Sequence, residues 1–381
     1  MAGGRRLWRR IGAFPASGVG LAIVGLVVGV VASVLVRWGN PPNMGICTAC
    51  FERDIAGAIG LHRFAAAQYL RPEIPGFVLG AFVAALLFGE FRPRGGSAPM
   101  VRLLLGGLAT IGSLVFLGCT WRALLRLGGG DGSALAGVAG TVVGVAVGAL
   151  FLRRGYTLGA PRPMPPVAGL IAPGLAVMLL AMLLTGVSFM PGGAVFSSVV
   201  GPGSMRAPVA VSLAAGLLIG LLGQRSRFCT VGATRDVVLV SDFRLLGGVG
   251  AMVAGALIAK LATGQFGLGM AAMPIAHSDH LWSFLSMVMA GLAFCLAGGC
   301  PGRQLVLCGE GNTDSAVFVM GTIGGGAVAH NWALAGVPDK LVGGVLHVGG
   351  PALWGKVAVI AGLAFCLLLG TAGRAGKEAE T

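Results

Sequence analysis

Charged side chains are scarce in this sequence: Asp, Glu, Lys and Arg make up only 10% of the 381 residues, whereas soluble domains carry about 25%. With a mean hydropathy of +0.89, this scarcity excludes an ordinary soluble protein. Acidic residues are the rarer kind, since 13 Asp and Glu face 27 Lys and Arg, which gives a net charge of +14. The basic residues stand singly or in short clusters beside long apolar runs, which favours a membrane protein over a nucleic-acid-binding protein.

Several catalytic signatures are also missing. The sequence has no Walker loop, no dinucleotide fingerprint and no hydrolase elbow, so we expect neither an enzyme nor a bound cofactor. Its 8 cysteines among 381 residues are too sparse for a disulfide scaffold. Glycine, in contrast, is abundant at 68 residues. Because it follows no collagen period, this glycine is typical of closely packed membrane helices.

Apolar runs long enough to be membrane-spanning helices occur about ten times. We predict an all-α polytopic membrane protein with spans at 17–36, 74–88, 103–117, 134–152, 167–187, 209–222, 245–262, 281–297, 316–332 and 357–369. The predicted organisation is a basic cytoplasmic N-terminus, a first membrane repeat, a linker, a second membrane repeat and a cytoplasmic tail, at 1–16, 17–187, 188–206, 207–371 and 372–381.

Basic residues predict the orientation of the chain. They cluster before the first span, after the second and fourth, and at the C-terminus: Arg5, Arg6, Arg9, Arg10, Arg92, Arg94, Arg102, Arg153, Arg154, Arg162, Arg374 and Lys377. If the spans alternate, all of these lie on one side, so both termini are expected in the cytoplasm.

An internal duplication is indicated by two motifs that recur with nearly the same offset. A Cys-Thr pair is followed after four residues by Arg-Asp at 47–54, and the same pattern appears 182 residues later at 229–236. A Gly-Cys pair is followed after two residues by Arg at 118–122 and again, 181 residues later, at 299–303. With about five spans in each half, the second half is inverted relative to the first, so we expect two inverted repeats with broken or re-entrant helices.

The repeated motifs place four cysteines where an apolar run breaks: Cys47, Cys119, Cys229 and Cys300. Irregular backbone within a bilayer persists only where it is buried or lines a cavity. A short helix after such a break directs backbone N–H groups and a positive helix end at whatever lies there. The pattern predicts four thiols along a path for an anion, although a cysteine can also be simply a small buried apolar residue.

Four repeated arginines accompany these cysteines, at Arg53, Arg122, Arg235 and Arg303. Buried charge in a membrane indicates function by default, so these arginines are candidates for binding an anionic substrate. The alternative is structural pairing with helix-end carbonyls or with Asp54 and Asp236. Cys50 and Cys308 lie in the breaks without a repeat partner and are possible additional thiols.

Two other functions are compatible with the cysteines. The pair Cys47 and Cys50 has the spacing of a redox or zinc motif, which would suit a membrane thiol or persulfide relay. Gly232 stands at the position equivalent to Cys50, and no histidine lies within a few residues of these cysteines. A metal site is therefore not expected, and a copper(I) transporter is the weakest alternative.

At these motifs the sequence resembles the YeeE/YedE family of sulphur-transport membrane proteins. The resemblance is carried by Gly118-Cys119, by the run at 227–236, by the Gly-Gly-Cys-Pro-Gly-Arg run at 298–303 and by the segment at 43–50 with Gly309-Glu310-Gly311-Asn312. Of these, the segment at 43–50 and the later Gly309-Glu310-Gly311-Asn312 are similar to the selenium-transporter branch of the family.

This resemblance implies an all-helical inner-membrane protein of two inverted halves. It implies that Cys47, Cys119, Cys229 and Cys300 form S–H···S hydrogen bonds to a passing anion such as thiosulfate. A small cytoplasmic sulphur-handling protein is an implied partner, and nucleic acid is not. We therefore expect uptake of a small sulphur- or selenium-containing anion across the inner membrane.

Overall fold

The computed structural model describes residues 14–186 and 195–373. The predicted basic N-terminus, the beginning of the predicted linker and most of the C-terminal tail, with Arg5, Arg6, Arg9, Arg10, Arg374 and Lys377, lie outside the described residues. The described chain is almost entirely helical, as its long apolar runs and the need to satisfy every backbone hydrogen bond within a bilayer require. The predicted all-α polytopic fold is confirmed.

Two successive sets of seven helices make up the described chain. The first set is α1 (Gly18–Arg37), α2 (Thr48–Ala58), α3 (Glu73–Leu87), α4 (Pro99–Val115), α5 (Thr120–Gly128), α6 (Ala134–Arg153) and α7 (Pro166–Leu184). The second set is α8 (Val209–Ser226), α9 (Thr230–Val240), α10 (Arg244–Ala262), α11 (His280–Ala297), α12 (Pro301–Gly309), α13 (Thr313–Asn331) and α14 (Leu353–Ala372). Long and short helices follow each other in the same order in both sets.

Each of the ten predicted spans corresponds to a helix, but fewer of them qualify as membrane-spanning. Among the described residues, eight helices or joined helix pairs are long and apolar enough to cross a bilayer. Helix α3 does not qualify because it has only 15 residues. Helix α13 is long enough, but polar residues at both of its ends, such as Asp314 and Asn331, lower its hydropathy. Eight of the ten predicted segments therefore qualify as spans by this criterion, which lies within the error of one or two that the prediction carries.

The main helix contacts join the two halves. Helix α1 packs along α10, and the equivalent pair α8 and α3 packs in the same way; α4 with α13 and α11 with α6 form a second equivalent set. Glycines allow the backbones to approach closely, because a Cβ on Gly25 of α1 would collide with the carbonyl oxygen of Gly248 in α10. The abundance of glycine thus serves helix packing, as small residues do in membrane proteins.

The equivalent helices α4 and α11 run in opposite directions. Near the start of α4, Arg102 Nη1 donates to the carbonyl oxygen of Ala297 at the end of α11, at 3.2 Å. Near the end of α4, the Val115 carbonyl oxygen lies 2.8 Å from Nε2 of His277, just before α11 begins. Antiparallel equivalents are what an inverted repeat requires, so these contacts agree with the predicted inversion.

Two loops, one in each half, make equivalent backbone hydrogen bonds to the other half of the chain. After α3, the Arg94 N–H donates to the carbonyl oxygen of Gly311, which follows α12, at 3.2 Å. After α10, the Gly269 N–H donates to the carbonyl oxygen of Gly130, which follows α5, at 3.1 Å. Two small antiparallel pairs complete the fold, namely β1 (Arg94–Gly95) with β2 (Arg162–Pro163) and β3 (Lys340–Val342) with β4 (Val345–His347).

Candidate functional site

All four repeated cysteines occupy the same structural position. Each is the N-cap residue of a short helix: Cys47 of α2, Cys119 of α5, Cys229 of α9 and Cys300 of α12. These helices have only 9 or 11 residues, too few to cross a bilayer. The first N–H groups of a helix have no partner within the helix, so each cysteine stands where backbone donors converge.

The backbone turns sharply just before three of these cysteines. Leu117, Arg227 and Gly298 each lie two residues before the cysteine and have φ values of 64°, 57° and 97°. This left-handed conformation ends the preceding helix and redirects the chain into the short one. It is unfavourable for Leu and Arg, and strain of this kind is typical of functional segments.

Within the first half, the short helices α2 and α5 bring two sulphur atoms together. The Sγ atoms of Cys47 and Cys119 lie 3.7 Å apart, and both residues are buried. The hydroxyl of Thr48 donates to Cys119 Sγ over 3.5 Å. The first-half thiols therefore form one cluster with a hydroxyl donor beside it.

The second half contains an equivalent sulphur pair. Cys229 Sγ accepts from the backbone N–H groups of Cys300, at 3.4 Å, and of Gly232, at 3.3 Å. Cys300 Sγ accepts from the N–H of Arg303 at 3.4 Å and from the indole Nε1 of Trp121 at 3.4 Å. Because Trp121 belongs to α5, the first half contributes a donor to a thiol of the second half.

A hydroxyl contact joins the two sulphur pairs. Thr120 Oγ1 and Thr230 Oγ1 lie 2.7 Å apart, and each threonine directly follows a cysteine of its own half. A cavity of about 100 Å³ lies beside both threonines and also touches Thr141 and Thr234. Sulphur and hydroxyl groups from both halves thus form one connected polar row inside an apolar core, which we call the cysteine row: Cys47, Cys119, Thr120, Thr230, Cys229 and Cys300.

Most of the repeated arginines are paired with protein groups. Arg53 and Arg235 each bind the carboxylate that follows them, Asp54 at 2.5 Å and Asp236 at 2.8 Å. Arg303 binds Glu310 at 3.2 Å. These ion pairs match the structural alternative derived from the sequence, and the substrate-binding role of these arginines stays a prediction.

Arg122 differs from its repeat partner because it binds only neutral groups at its nitrogens. Its side chain is buried and donates to the carbonyl oxygens of Asn43 at 3.0 Å, Ile275 at 2.8 Å and Leu117. Its Nη1 also lies 3.8 Å from Cys50 Sγ. The guanidinium therefore ties three separate segments together around the first-half thiols.

The two unrepeated thiols lie within the core. Cys50 is buried on α2 near Arg122, and Cys308 is buried on α12. In the part of the chain that the structure describes, no group of three or more His, Cys, Asp or Glu side chains is arranged to hold a metal ion. Whether either thiol contacts substrate stays a prediction.

A charged cavity opens close to the second sulphur pair. Its volume is about 290 Å³, and its lining consists of three arginines and two glutamates: Glu90, Arg92, Arg94, Arg227 and Glu310. Burial raises the pKa of Glu90, but hydrogen bonds from Gln224 and Arg225 with the nearby Arg227 lower it below its usual range overall. Glu90 therefore stays ionised, and the lining has one positive charge in excess.

This charged cavity is connected to the cysteine row through a glutamate and an arginine of its lining. Glu310 binds Arg303, whose N–H donates to Cys300 Sγ, while Arg227 precedes Cys229 by two residues. Residues 225–378 match the family model described as sulphur transport. Over this segment the chain is similar to that family. No curated protein matches the chain.

The matched segment, residues 225–378, contains the second copy of both repeated motifs, with Cys229, Arg235, Cys300 and Arg303. The eight candidate membrane-spanning helices among the described residues indicate a multi-pass membrane protein, and the match adds a likeness to a sulphur-transport family over residues 225–378. The match is to the family as a whole, so the selenium-transporter branch stays a prediction.

Three polar residues of the site were missed by reasoning from the sequence. Thr120 and Thr230 could have been found, because the pair Cys-Thr occurs at three of the four repeated cysteines. Glu52 had no comparable signal, since it stands between Cys50 and Arg53 without a repeat partner of its own kind. The structure buries it completely beside the first sulphur pair.

Proposed function

We propose that the protein takes up a small anion with a terminal sulphur or selenium atom, such as thiosulfate or a selenium analogue, along the cysteine row. The observation that carries this proposal is the convergence of two thiol pairs, one from each half, at the Thr120–Thr230 contact of 2.7 Å. A polar row of this kind within apolar helices is costly unless it serves a ligand.

The chemistry of the row favours a soft anion. A thiol is a weak hydrogen-bond donor and a poor replacement for the hydration shell of a hard oxyanion such as sulfate. A terminal sulphur or selenium atom is polarizable and loses less hydration when it leaves water. Several weak sites in series also let the anion leave each site, which conduction requires.

The charged cavity would supply the electrostatic attraction that the thiols lack. Its excess positive charge comes from arginines, and Arg227 lies only two residues from Cys229. The basic residues around it, including Arg92 and Arg94, support a cytoplasmic position for this mouth under the positive-inside rule. This orientation puts both termini in the cytoplasm of the inner membrane and makes the cavity the place where a small sulphur-handling protein would collect the anion.

A second candidate function is a thiol relay, favoured by the distance of 3.7 Å between Cys47 Sγ and Cys119 Sγ. In that case a cysteine thiolate would attack the terminal sulphur of thiosulfate, the S–S bond of thiosulfate would break, and sulfite would leave while the sulphur atom stays on the cysteine as a persulfide. Mass spectrometry of the purified protein after exposure to thiosulfate distinguishes the two functions. A transporter keeps its unmodified mass, whereas a relay gains the mass of sulphur.

The proposal is tested by a thermal-unfolding screen with thiosulfate, selenite, selenosulfate and sulfate. A ligand that binds only the folded state raises the apparent stability. We expect thiosulfate or selenosulfate, which carry a terminal sulphur or selenium atom, to raise the unfolding temperature, and selenite and sulfate, whose terminal atoms are oxygens, not to. A variant with Ala at Cys47, Cys119, Cys229 and Cys300 is the matched control and is expected to show no shift. Equal shifts in this variant and in the wild type would refute binding at the cysteine row.

A further inference from the structure

Glu52 lies in the most enclosed helix of the molecule. Every residue of α2 is buried, and Glu52 itself is 0% exposed. Neither of its carboxyl oxygens has a hydrogen-bond partner among the described residues. Such a group is rare, because polar side chains inside proteins almost always have partners.

The arginines near Glu52 bind groups other than its carboxyl. Arg53, the next residue, binds Asp54 at 2.5 Å, and Arg122 donates its N–H groups to backbone carbonyls. The titratable groups that face Glu52 are all thiols: Cys50 of α2 itself, Cys119 at the start of α5 and Cys308 of α12. Helix α13 brings the hydroxyl of Thr322 next to the Glu52 carboxyl, but this hydroxyl donates its hydrogen to the carbonyl oxygen of Val319, at 2.7 Å, and not to Glu52.

Helix geometry directs this carboxyl toward the cysteine row. Residues four apart in a helix share a face, so Glu52 lies one turn beyond Thr48. Thr48 donates to Cys119 Sγ at 3.5 Å, and Glu52 is close enough to Cys119 for the two groups to interact electrostatically. At the equivalent position in the second half, 182 residues later, stands Thr234, which carries no charge. Only the first half therefore has a titratable group at this point.

An ionised carboxylate here would oppose the proposed substrate. An unpaired charge in an apolar interior is so costly that a carboxyl normally holds its proton there. If it lost the proton, its negative charge would face an anion with little water between them to screen the repulsion. A protonated carboxyl, in contrast, can donate a hydrogen bond to an anion.

We propose that an anion passes Cys119 only while Glu52 is protonated, so that Glu52 acts as a proton-controlled gate on the cysteine row. This inference rests on the proposed function, because it presupposes that the anion follows the row. It adds a control by pH that the cysteines alone would not provide. In this role the carboxyl of Glu52 contacts the passing anion directly and does not act through another side chain.

The test is thiosulfate flux into proteoliposomes, measured with equal pH on both sides and with the membrane potential clamped at zero. Wild-type flux is expected to fall by about tenfold for each pH unit above the titration midpoint of Glu52, because the protonated fraction falls by that factor. Glu52→Gln keeps the shape and remains neutral, so its flux is expected to stay at the acid-pH wild-type level throughout.

Glu73→Gln is the matched control, since Glu73 is also buried but accepts hydrogen bonds from Asn40 and Ser212 at 2.8 and 2.9 Å. We expect it to keep the wild-type pH profile. A Glu52→Gln profile that falls like the wild type, or a folded Glu52→Gln protein without flux, overturns the inference. A flat wild-type profile does so even if the variant does not fold. A wild-type protein that carries no tested anion at any pH refutes the proposed function instead.

Discussion

Arg227 offers a substitution in which stability and transport should change in opposite directions. Its side chain is exposed and lines the charged cavity, while its backbone has φ = 57° at the end of α8. A non-glycine residue in this left-handed conformation destabilises the folded state by roughly 1–2 kcal/mol, and glycine would remove this strain. The greater conformational freedom of glycine in the unfolded chain would offset about 0.5–1 kcal/mol of that stabilisation. We therefore expect Arg227→Gly to raise the free energy of unfolding by about 0.5–1 kcal/mol.

The same substitution removes one positive charge from the cavity. Three arginines and two glutamates line it, so the excess charge falls from +1 to 0. A dianion about 8 Å from a guanidinium in water gains roughly 1 kcal/mol, which corresponds to about a fivefold difference in occupancy. Since the Debye length is about 8 Å at physiological ionic strength, the effect on uptake should shrink to roughly twofold there.

The assay compares wild type, Arg227→Gly and Arg227→Lys in proteoliposomes at low and at physiological salt, with unfolding measured on the same preparations. Arg227→Lys keeps both the charge and the left-handed backbone, so it should match the wild type in both measurements. If Arg227→Gly transports thiosulfate as fast as Arg227→Lys at low salt, the charged cavity does not attract the anion. If it is less stable than Arg227→Lys, the account of the α8 end is wrong.

Three further predictions concern the cysteine row, its support and a loop. Cys119→Ala should lower thiosulfate uptake about 2- to 10-fold, the value of one ordinary hydrogen bond, because a thiol is a weak donor. Cys366→Ala in α14 should leave uptake unchanged, and equal uptake by both variants would contradict the row. Arg122→Lys should lower the free energy of unfolding by about 3 kcal/mol, because a single ammonium group loses two charge-assisted bonds of roughly 1.5 kcal/mol each; intact stability with weakened anion binding would instead assign Arg122 to the substrate. Burial raises the pKa of Asp339, but N–H groups of Gly349, Ala272 and Ser278 lower it below its usual range overall. Asp339→Asn should therefore lower the melting temperature at neutral pH, and the difference from the wild type should vanish as the pH falls through the pKa of folded Asp339; a pH-independent difference would contradict this.

The apolar helices could be predicted because their signal is local. A run of about 20 apolar residues identifies a span by itself, and the recurrence of two motifs was enough to predict the duplication. The short helices α2, α5, α9 and α12 gave no such signal, since 9 to 11 mixed residues resemble a loop. Only the position of a cysteine at each break indicated that a helix begins there.

Side-chain partners were predictable only where they are neighbours in sequence. The pairing of Arg53 with Asp54 and of Arg235 with Asp236 follows from adjacent residues. The acceptors of Arg122 do not, because Asn43 and Ile275 are 79 and 153 residues away along the chain. The isolation of Glu52 is equally invisible in the sequence, since it depends on which neighbouring donors are already occupied.

The N-cap position of the cysteines has a consequence for how an anion would move. At α9 and α12, the helix N–H groups of Gly232 and Arg303 already donate to Cys229 and Cys300 Sγ. An anion arriving there competes with a resident sulphur atom for the same donors, instead of filling an empty site. Each step is then an exchange of one sulphur acceptor for another, which keeps the number of hydrogen bonds nearly constant. Because of this exchange, the anion is not held in a deep energy minimum at any position, so it can move on.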